Sequence, residues 1–382
     1  MIPISYNYRN LLVRWKTTLM TACGFTLVVT ALIVMLAFVN GVHTVCAVSG
    51  QPENVIVMKQ GTFDEVLSQL NDHLLRQVEI TPGVLRGSDG RPLCSRELFM
   101  VLTQWDDRIQ DYRQLQARGV EPVALEVHSQ VQIVEGRMFR RGSREMLLGR
   151  GVARQEQREV GQKLMVGQIE WDVVGIFEAD GSSFESEVWC DVNQLAGHFH
   201  RDGTFSSAVL RTISPAAAVD VAADLRHSRA VSVEAKPEVD YYEQQAEQIN
   251  IIYTGAIVIA VFMAIGAVFG VTNTMFAAIG ERVKDIAMMR LLGFGRQEIL
   301  LCFLLETLLI ALVGGSLGSV LGYAVNGLTM NTALGAKSIA FAFKVDASIL
   351  VMGAIFSLTM GIVGGLLPAM SAMRVQPLEA MR

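Results

Sequence analysis

Four long runs of apolar residues divide a chain that is otherwise mixed in character. They cover roughly 17–41, 249–279, 299–328 and 349–370. About 20 consecutive apolar residues are needed for a helix to cross the hydrocarbon core of a bilayer. None of the runs contains an interior Lys or Arg, which would cost on the order of 3 kcal/mol at a helix centre. The pattern therefore predicts four transmembrane helices.

The basic residues near these runs predict how the chain is oriented. Lys and Arg collect in cytoplasmic loops. The basic residues near the N-terminus, between the second and third runs and after the fourth run are Arg9, Arg14, Lys16, Arg282, Lys284, Arg290, Arg296, Arg374 and Arg382. The short loop 329–348 has only Lys337 and Lys344. Both termini and segment 280–298 are therefore expected in the cytoplasm, with 42–248 outside.

The first run could alternatively be a cleaved signal peptide, since basic residues precede it. The apolar region of a signal peptide is only about 7–15 residues long, and this run is much longer. No lipobox precedes Cys46, so we interpret residues 17–41 as an uncleaved anchor. Residues 1–16 mix aromatic, apolar and basic side chains and predict an amphipathic helix at the inner membrane interface.

Segment 42–237 is long enough for one soluble domain, and its pattern is mixed α+β. Strands are predicted at 54–59, 124–134, 145–149, 164–177 and 206–211, where β-branched and other apolar residues cluster. Helices are predicted from 63 to 78, before Thr81-Pro82-Gly83, and over 152–160, after a turn bracketed by Gly149 and Gly151. The predicted fold is an α-helical membrane protein with a mixed α+β extracytoplasmic domain inserted between transmembrane helices 1 and 2.

Residues 238–279 carry charged and amide side chains at helical spacing and then become apolar, with no helix breaker after Pro237. We expect one helix that continues the second span out of the membrane as a stalk. After it come a charged segment, 280–298, the third span, 299–328, the short loop 329–348, the fourth span, 349–370, and a cytoplasmic tail, 371–382.

Composition agrees with a membrane protein and argues against a nucleic-acid binder. The 382 residues are 51% hydrophobic and 18% charged, whereas soluble proteins have about 25% charged residues. The formal net charge is -5, without the basic surplus of nucleic-acid-binding proteins. Cys46, Cys94 and Cys190 lie in the segment placed outside, so at most one disulfide can form there, and its pairing is open.

No pattern of residues predicts an enzyme, a cofactor site or a metal site. His198 and His200 would share one face of a strand, but no Cys or carboxylate cluster supports a metal ion there. No Ser/His/Asp or HExxH pattern is present, and no GxxxxGK[ST] phosphate-binding loop. ATP hydrolysis, if this chain needs it, is expected from a separate subunit.

Within the spans, one acidic residue and several glycines stand out. Glu306 lies inside the third apolar run, and without further intramembrane acids a structural tie to a neighbouring helix is a better interpretation than a proton relay. Small residues four apart let helix backbones approach closely in lipid. The glycines predicted to pack helices, mostly within one subunit, are Gly266, Gly270, Gly314, Gly318, Gly322, Gly361 and Gly365.

The charged segment after the second span predicts a short helix on the inner membrane surface. Ile286, Met289 and Leu292 fall on one side of it, and Gly293 and Gly295 suit a C-terminal turn. Such a helix could fit a groove of a cytoplasmic partner. The alternative interpretation is an ordinary solvated hairpin.

This segment, ERVKDIAMMRLLG, resembles the coupling-helix motif of MacB/FtsX-type ABC-transporter permeases, whose usual form is ER-x-x-EIG-x-x-RALGA. Asp285 replaces the usual Glu, Ala287 a Gly, Leu291 an Ala and Phe294 an Ala. The matching positions are Glu281, Arg282, Ile286, Arg290, Leu292 and Gly293. The C-terminal GGLLPAMSAMRVQPLEAMR and the stretches LLGRGVARQ, VGQKL, WDVVGIF and SSFESEVWCD are also similar to the family.

The resemblance implies a permease subunit that transmits the motion of a cytoplasmic ABC ATPase to an extracytoplasmic domain. Such permeases pair, as a homodimer or a heterodimer, in a bacterial inner membrane, and a periplasmic adaptor protein often accompanies them. The substrate would be a peptide, antibiotic, lipid or lipoprotein that is exported or extracted. The residues expected to receive the ATPase motion are Glu281, Arg282, Asp285, Ile286, Met289, Arg290, Leu292 and Gly293.

Two other functions stay open. An FtsX-like scaffold would use the same motion to control a cell-wall hydrolase, although the large outer segment favours transport. A membrane-anchored receptor or enzyme would have no ATPase partner.

Overall fold

The structure is a computed structural model that describes residues 15–106, 110–228, 230–334 and 337–375, together with Arg9, Leu11 and Val13. Most of the predicted interface helix, 1–16, and most of the predicted tail, 371–382, lie outside the described residues. Contacts between residues divide the chain into two compact units. The helical unit comprises 1–41, 251–328 and 342–382, and the sheet unit comprises 42–250 and 329–341.

Both units contain helices, which are numbered in chain order through the described residues. They are α1 Trp15–Ser49, α2 Asp72–Glu79, α3 Ala124–Val127, α4 Arg150–Glu156, α5 Val192–His198, α6 Pro215–His227, α7 Glu238–Glu281, α8 Val283–Leu291, α9 Arg296–Tyr323 and α10 Ala347–Met373. Four of them, α1, α7, α9 and α10, are long and apolar enough to cross a membrane. The prediction of four apolar helices is confirmed.

The strands, again in chain order, are β1 Asn54–Lys59, β2 Leu70–Asn71, β3 Cys94–Asp106, β4 Asp111–Val120, β5 Gln132–Gly136, β6 Glu145–Gly149, β7 Lys163–Val166, β8 Ile169–Glu178, β9 Glu187–Asp191, β10 Thr204–Phe205, β11 Ser207–Arg211, β12 Val233–Pro237, β13 Thr329–Leu334 and β14 Lys337–Ala342. Most of them form one mixed sheet in the order β12-β1-β11-β3-β4-β9-β6-β8-β5, with β7 beside β8. The predicted mixed α+β domain is confirmed.

Close contacts between small residues hold the helical unit together. Along α9, Gly314, Gly318 and Gly322 lie against α1, so that an added Cβ would come within 2.6–2.8 Å of its atoms. At two of these contacts α1 also donates hydrogen bonds to α9 carbonyls, from Thr26 Oγ1 to Gly314 O and from Thr30 Oγ1 to Gly318 O. The glycines let the backbones approach closely enough for threonine to reach across.

The other predicted packing glycines divide into two groups. Gly361 and Gly365 on α10 lie directly against Ala311 and Thr307 of α9. At Gly266 and Gly270 on α7, by contrast, an added Cβ would meet no described atom within 4 Å. The predicted close packing is therefore absent at these two glycines, which line a cavity whose other wall is formed by Thr21, Gly24 and Phe25 of α1.

The sheet unit buries large aromatic side chains on both faces of the mixed sheet. Trp171, with Leu148 and Val188, anchors one cluster of buried residues. Trp189 anchors another, with Phe177, Phe184 and the first turn of α7 at Tyr241 and Tyr242. Because this turn of α7 belongs to the core of the sheet unit, the start of that helix is fixed by burial as well as by hydrogen bonds.

Several local predictions in the sheet unit differ from the structure. Residues 124–127 form a helix instead of the start of a strand, and only 72–79 of the predicted helix 63–78 is α-helical. His198 ends α5 and His200 has a positive φ of 53°, so the two histidines do not lie on a strand. Loop 329–348 contains the hairpin β13–β14. None of Cys46, Cys94 and Cys190 forms a disulfide.

Candidate functional site

The short helix α8 is separated from the second apolar helix by a single residue. The backbone of Arg282 leaves helical geometry, with φ −109° and ψ 14°, and helix resumes at Val283. A charged segment of nine residues, Val283–Leu291, is thereby set off from α7 as an element of its own. The structure thus has the short helix that the sequence predicts after the second span.

An ion pair joins the start of α8 to the third apolar helix. Arg282 Nη1 donates to Glu306 Oε2 at 3.2 Å, and both side chains are at least nine-tenths buried. A buried charge is costly unless it is paired. The predicted structural tie of Glu306 is thus given a specific partner, one that fixes the position at which α8 begins.

The structure separates the residues of this segment into buried and exposed sets. Arg282, Ile286 and Ala287 are buried, the last two completely. Met288, Leu291 and Leu292 are large apolar side chains that are more than half exposed. Glu281, Lys284 and Asp285 are exposed beside them. The predicted apolar side formed by Ile286, Met289 and Leu292 is therefore wrong, because Ile286 points into the helical unit while Leu292 points out.

A glycine turn ends α8. Gly293 has a φ of +96°, which non-glycine residues rarely adopt, and its N–H donates to Arg290 O. Phe294 N donates to Met289 O, and Arg290 Nη1 donates to Phe294 O at 3.3 Å. Arg290 therefore stabilises the turn that leads to α9.

The sheet unit contains a buried charge cluster that the sequence did not predict. Arg118 on β4 is 1% exposed and forms ion pairs with three glutamates from different elements. They are Glu65 at 3.0 Å, Glu97 on β3 at 2.6 Å and Glu187 on β9 at 2.6 Å. Burial opposes the charge of the guanidinium, but Glu187 and the other carboxylates outweigh it and raise the Arg118 pKa well above its ordinary value.

His128 extends this cluster to the start of α7. Its Nε2 lies 2.7 Å from Glu97 Oε1, and its Nδ1 lies 3.7 Å from Glu238 Oε1. Glu238, the first residue of α7, also accepts hydrogen bonds from Gln51 N and Asn54 Nδ2. Burial by itself lowers the pKa of His128, but the carboxylates of Glu97 and Glu238 outweigh it and raise that pKa above 6.5.

The protonated state of His128 fits the charge state of its partner. Burial by itself raises the pKa of Glu97, but His128 and Arg118 outweigh it and hold that pKa below 4.5. An ionised Glu97 beside a protonated His128 is therefore the arrangement that this geometry favours. The result is a continuous series of ionisable side chains from the centre of the sheet to Glu238, the first residue of α7.

His198, one of the two histidines considered for a metal site, contacts a backbone carbonyl instead. His198 Nε2 lies 2.7 Å from Gly167 O, and His200 follows it in the turn after α5. Within the described residues no group of three or more His, Cys, Asp or Glu side chains is arranged to hold a metal ion.

Two family descriptions match the chain and between them cover most of it. Residues 18–228, more than half of the 382, match the MacB-like periplasmic core domain. Residues 257–377 match the C-terminal domain of FtsX-like permeases. The chain belongs to the MacB/FtsX-like ABC transporter permease family.

Individual relatives agree with this membership. A macrolide export ATP-binding/permease protein MacB of Hahella chejuensis is 22% identical over 399 aligned residues, covering 92% of this chain and 57% of that protein. The uncharacterized ABC transporter permease YknZ of Bacillus subtilis is 33% identical over 113 residues, covering 30% of this chain and 27% of that protein. The chain thus spans little more than half, or less, of the length of these relatives.

Among solved structures, the periplasmic region of MacB from Actinobacillus actinomycetemcomitans is 9% identical in sequence to this chain. The alignment covers 51% of this chain and 92% of the MacB periplasmic region, with a TM-score of 0.38.

Within this family, the structure brings together only part of the predicted coupling set. Glu281, Asp285 and Leu292 are exposed, whereas Arg282 and Ile286 are buried in the helical unit. Met288, which is exposed, is not among the residues predicted for this surface. Helical spacing could have found it, because Lys284, Met288 and Leu291 lie three or four residues apart and so share a face.

Proposed function

We propose that this chain is an ABC-transporter permease subunit that carries ATP-driven motion from a cytoplasmic ATPase to the sheet unit outside the membrane. The observation that supports it most is the surface of α8, where Met288, Leu291 and Leu292 are exposed beside Lys284 and Asp285. Exposed apolar side chains ringed by charges are typical of protein-docking surfaces. A soluble ATPase would bind this surface from the cytoplasm.

The way α8 is held supports transmission of movement. Its first turn follows the buried Arg282–Glu306 pair, and Ile286 and Ala287 anchor its inner side. A partner that pushes on the exposed side would therefore move α9 together with α8, because breaking a buried ion pair costs about 3–5 kcal/mol.

The length of α7 supports the outward half of this proposal. It runs without interruption for 44 residues, from Glu238 to Glu281, which corresponds to about 66 Å of helix. A bilayer core is about 30 Å thick, so the helix exceeds what a span requires. We infer that α7 is the stalk, with Glu281 at the cytoplasmic end and Glu238 at the outer end.

A second copy of the chain would complete the membrane part. In the most apolar stretch of α7 only 11% of residues are buried, compared with 50% in α1 and in α9. Gly266 and Gly270 lie on this helix, and a Cβ added at either would meet no described atom within 4 Å. We propose that a second permease packs against α7, as a homodimer or a heterodimer. The substrate class stays open among peptides, antibiotics, lipids and lipoproteins.

Co-purification with an ATPase tests the proposed function. Leu292→Glu puts a charge on the docking surface, where Leu292 is 73% exposed. Ile80→Glu is the matched control, because Ile80 is 74% exposed but belongs to the sheet unit. From membranes of the native host, tagged wild type and Ile80→Glu should retain a protein with a GxxxxGK[ST] motif, and Leu292→Glu should lose at least about 90% of it.

Two results would contradict the proposal. One is equal retention of the ATP-binding protein by Leu292→Glu and the wild type. The other is an absence of any ATP-binding protein from the wild-type preparation, which would favour a membrane-anchored receptor or enzyme.

A further inference from the structure

Three segments of the sheet unit continue directly into apolar helices of the helical unit. They are the end of α1 at Ser49, the start of α7 at Glu238, and the hairpin β13–β14, which lies between α9 and α10 along the chain. Any movement that passes along the chain between the two units must use these segments. Inside the sheet unit all three meet one short 3₁₀ turn, Ser183–Ser186, called the hub turn below.

The end of α1 is bonded to the first residue of the hub turn. Ser49 Oγ accepts a hydrogen bond from Ser183 N at 2.9 Å and lies 3.1 Å from Ser183 Oγ. Ser49 is fully buried. Its carbonyl oxygen also accepts a hydrogen bond from Gln130 Nε2 at 3.2 Å. The last residue of α1 therefore forms hydrogen bonds with the hub turn and with Gln130, not with solvent.

The hairpin is bonded to the last residue of the hub turn. Ala340 N, on β14, donates to Ser186 Oγ at 2.9 Å. A second hydrogen bond joins the hairpin to α4, from Asn331 Nδ2 to Gln155 Oε1 at 2.8 Å. The start of α4 packs closely against the hub turn, since a Cβ added at Gly151 would lie 2.8 Å from Glu185 O.

The start of α7 reaches the hub turn through the ring of Phe184. This ring is 1% exposed, and its centroid lies 6.3 Å from that of Tyr242 on the first turn of α7. It also lies 4.9 Å from the His128 ring, which in turn faces Glu238. Arg118, at the centre of the charge cluster, lies with its Cζ 5.3 Å from the same ring.

The hub turn is bonded to the segments on both sides of it. Glu185 Oε1 accepts hydrogen bonds from both Ala179 N and Gly181 N at 2.9 Å, which ties the turn to the preceding loop. The next residue after the turn, Glu187, starts β9 and pairs with Arg118. A shift of the turn would therefore move the central strands of the sheet with it.

We propose that the hub turn is the point at which the movements of α1, α7 and the hairpin combine before they reach the sheet. Ser183, Phe184 and Ser186 act as positioning residues, each holding one of the three segments. This inference rests on the proposed function and deepens it, since it names where the transmitted motion enters the outer domain.

Hydrogen–deuterium exchange of the full chain in detergent tests the convergence without any ATPase. Ser49→Ala removes the α1 contact, and we expect amide exchange to rise about fivefold not only near Ser183 but also in hairpin residues 337–342. Ser186→Ala should likewise raise exchange in residues 238–246 at the start of α7. Phe184→Leu, which keeps an apolar side chain, should raise both.

Ser206→Ala is the matched control. Ser206 is nearly as buried as Ser49, and its hydroxyl forms hydrogen bonds with Phe99 N and Phe99 O, which belong to none of the three segments. Its substitution should leave exchange at 238–246 and 337–342 unchanged. Exchange that rises only around each substituted serine, with the distant segments as slow as in the wild type, would overturn the convergence.

A second measurement separates this inference from the proposed function. In the complex with the co-purified ATPase, ATP and vanadate should change exchange in β9 of the wild type. The Ser49→Ala/Ser186→Ala double variant should lose most of that change while it hydrolyses ATP at the wild-type rate. An undiminished change would overturn the positioning role, whereas failure to retain any ATPase would contradict the proposed function and leave the detergent result standing.

Discussion

The ion-pair partners of individual buried charged residues could not be predicted from the sequence. Glu306 was recognisable because an acid inside an apolar run is rare, but nothing in the sequence identified Arg282 as its partner 24 residues earlier. Arg118 was not recognisable at all, since its three glutamates come from separate parts of the chain. Long-range pairing of this kind depends on the register of β3, β4 and β9, which composition and spacing do not determine.

Exchanging the charges of the Arg282–Glu306 pair tests its contribution. Glu306→Gln should destabilise the purified chain by about 3–5 kcal/mol, because Arg282 would stay buried without a carboxylate. Arg282→Glu combined with Glu306→Arg should recover at least half of that loss. Unfolding of the variants in a detergent titration measures both values. Equal damage from the single and the double variants would show that the pair is not what holds α8.

The pH dependence of stability tests the pair formed by His128 and Glu97. The pKa of His128 is raised on folding, so its ion pair stabilises the fold fully below about pH 6.5 and is lost as pH rises through the raised value. The ionisable groups that face His128 are Glu97 on β3, Arg118 on β4 and Glu238 on α7, whose own pKa is raised by burial. The stability difference between the wild type and His128→Gln should therefore be largest near pH 6 and shrink towards pH 9.

An exposed histidine provides the control for this titration. His227, at the end of α6, bonds only to Ala223 O among the contacts that the structure describes. At pH 6, where the effect of His128→Gln is largest, His227→Gln should have the same free energy of unfolding as the wild type. A His128→Gln profile parallel to that of the wild type across this range would contradict the ion pair.

At the scale of elements, the hydrophobic pattern correctly predicted the helices and strands that one continuous run of residues determines. The four apolar helices and the strands at 54–59, 145–149 and 207–211 follow from hydrophobic length and from short apolar runs. The misread elements are short and depend on tertiary contacts. Residues 124–127 were assigned to a strand because they begin a run of apolar and polar residues that alternate weakly. In the structure Ala124 and Val127 are fully buried in a helical turn that contacts β3 and β11.

A pair of matched glycine variants tests how the apolar helices pack. Gly318→Leu should destabilise the helical unit by about 2–4 kcal/mol, since a Cβ there would lie 2.8 Å from Thr26 O of α1. Gly270→Leu should leave the stability of the single chain unchanged, because its Cβ would meet no described atom within 4 Å. Thermal unfolding in detergent distinguishes them, and equal destabilisation would contradict the packing described for α7 and α9.

At the scale of the whole molecule, the chain has a helical unit and a sheet unit. The short helix α8 of the helical unit exposes an apolar surface, and in the sheet unit three chain segments contact the hub turn. The family membership was predictable from local motifs, because ERVKDIAMMRLLG and the C-terminal stretch are continuous in sequence. The hub turn and the charge cluster were not predictable, since they assemble from residues far apart in the chain, such as Ser186 and Ala340, which lie 154 positions apart. These long-range contacts are what the proposed motion would use.

The most direct test of the central claim is a distance measurement between spin labels on the two units. Cysteines would replace Ile80 on the sheet unit and Tyr323 at the end of α9, both exposed, after Cys23→Ser removes the exposed native thiol. In the ATPase-bound complex, addition of ATP and vanadate should shift the distance distribution, and Leu292→Glu should abolish the shift. An unchanged distribution while the bound ATPase hydrolyses ATP would contradict the claim that this chain transmits motion.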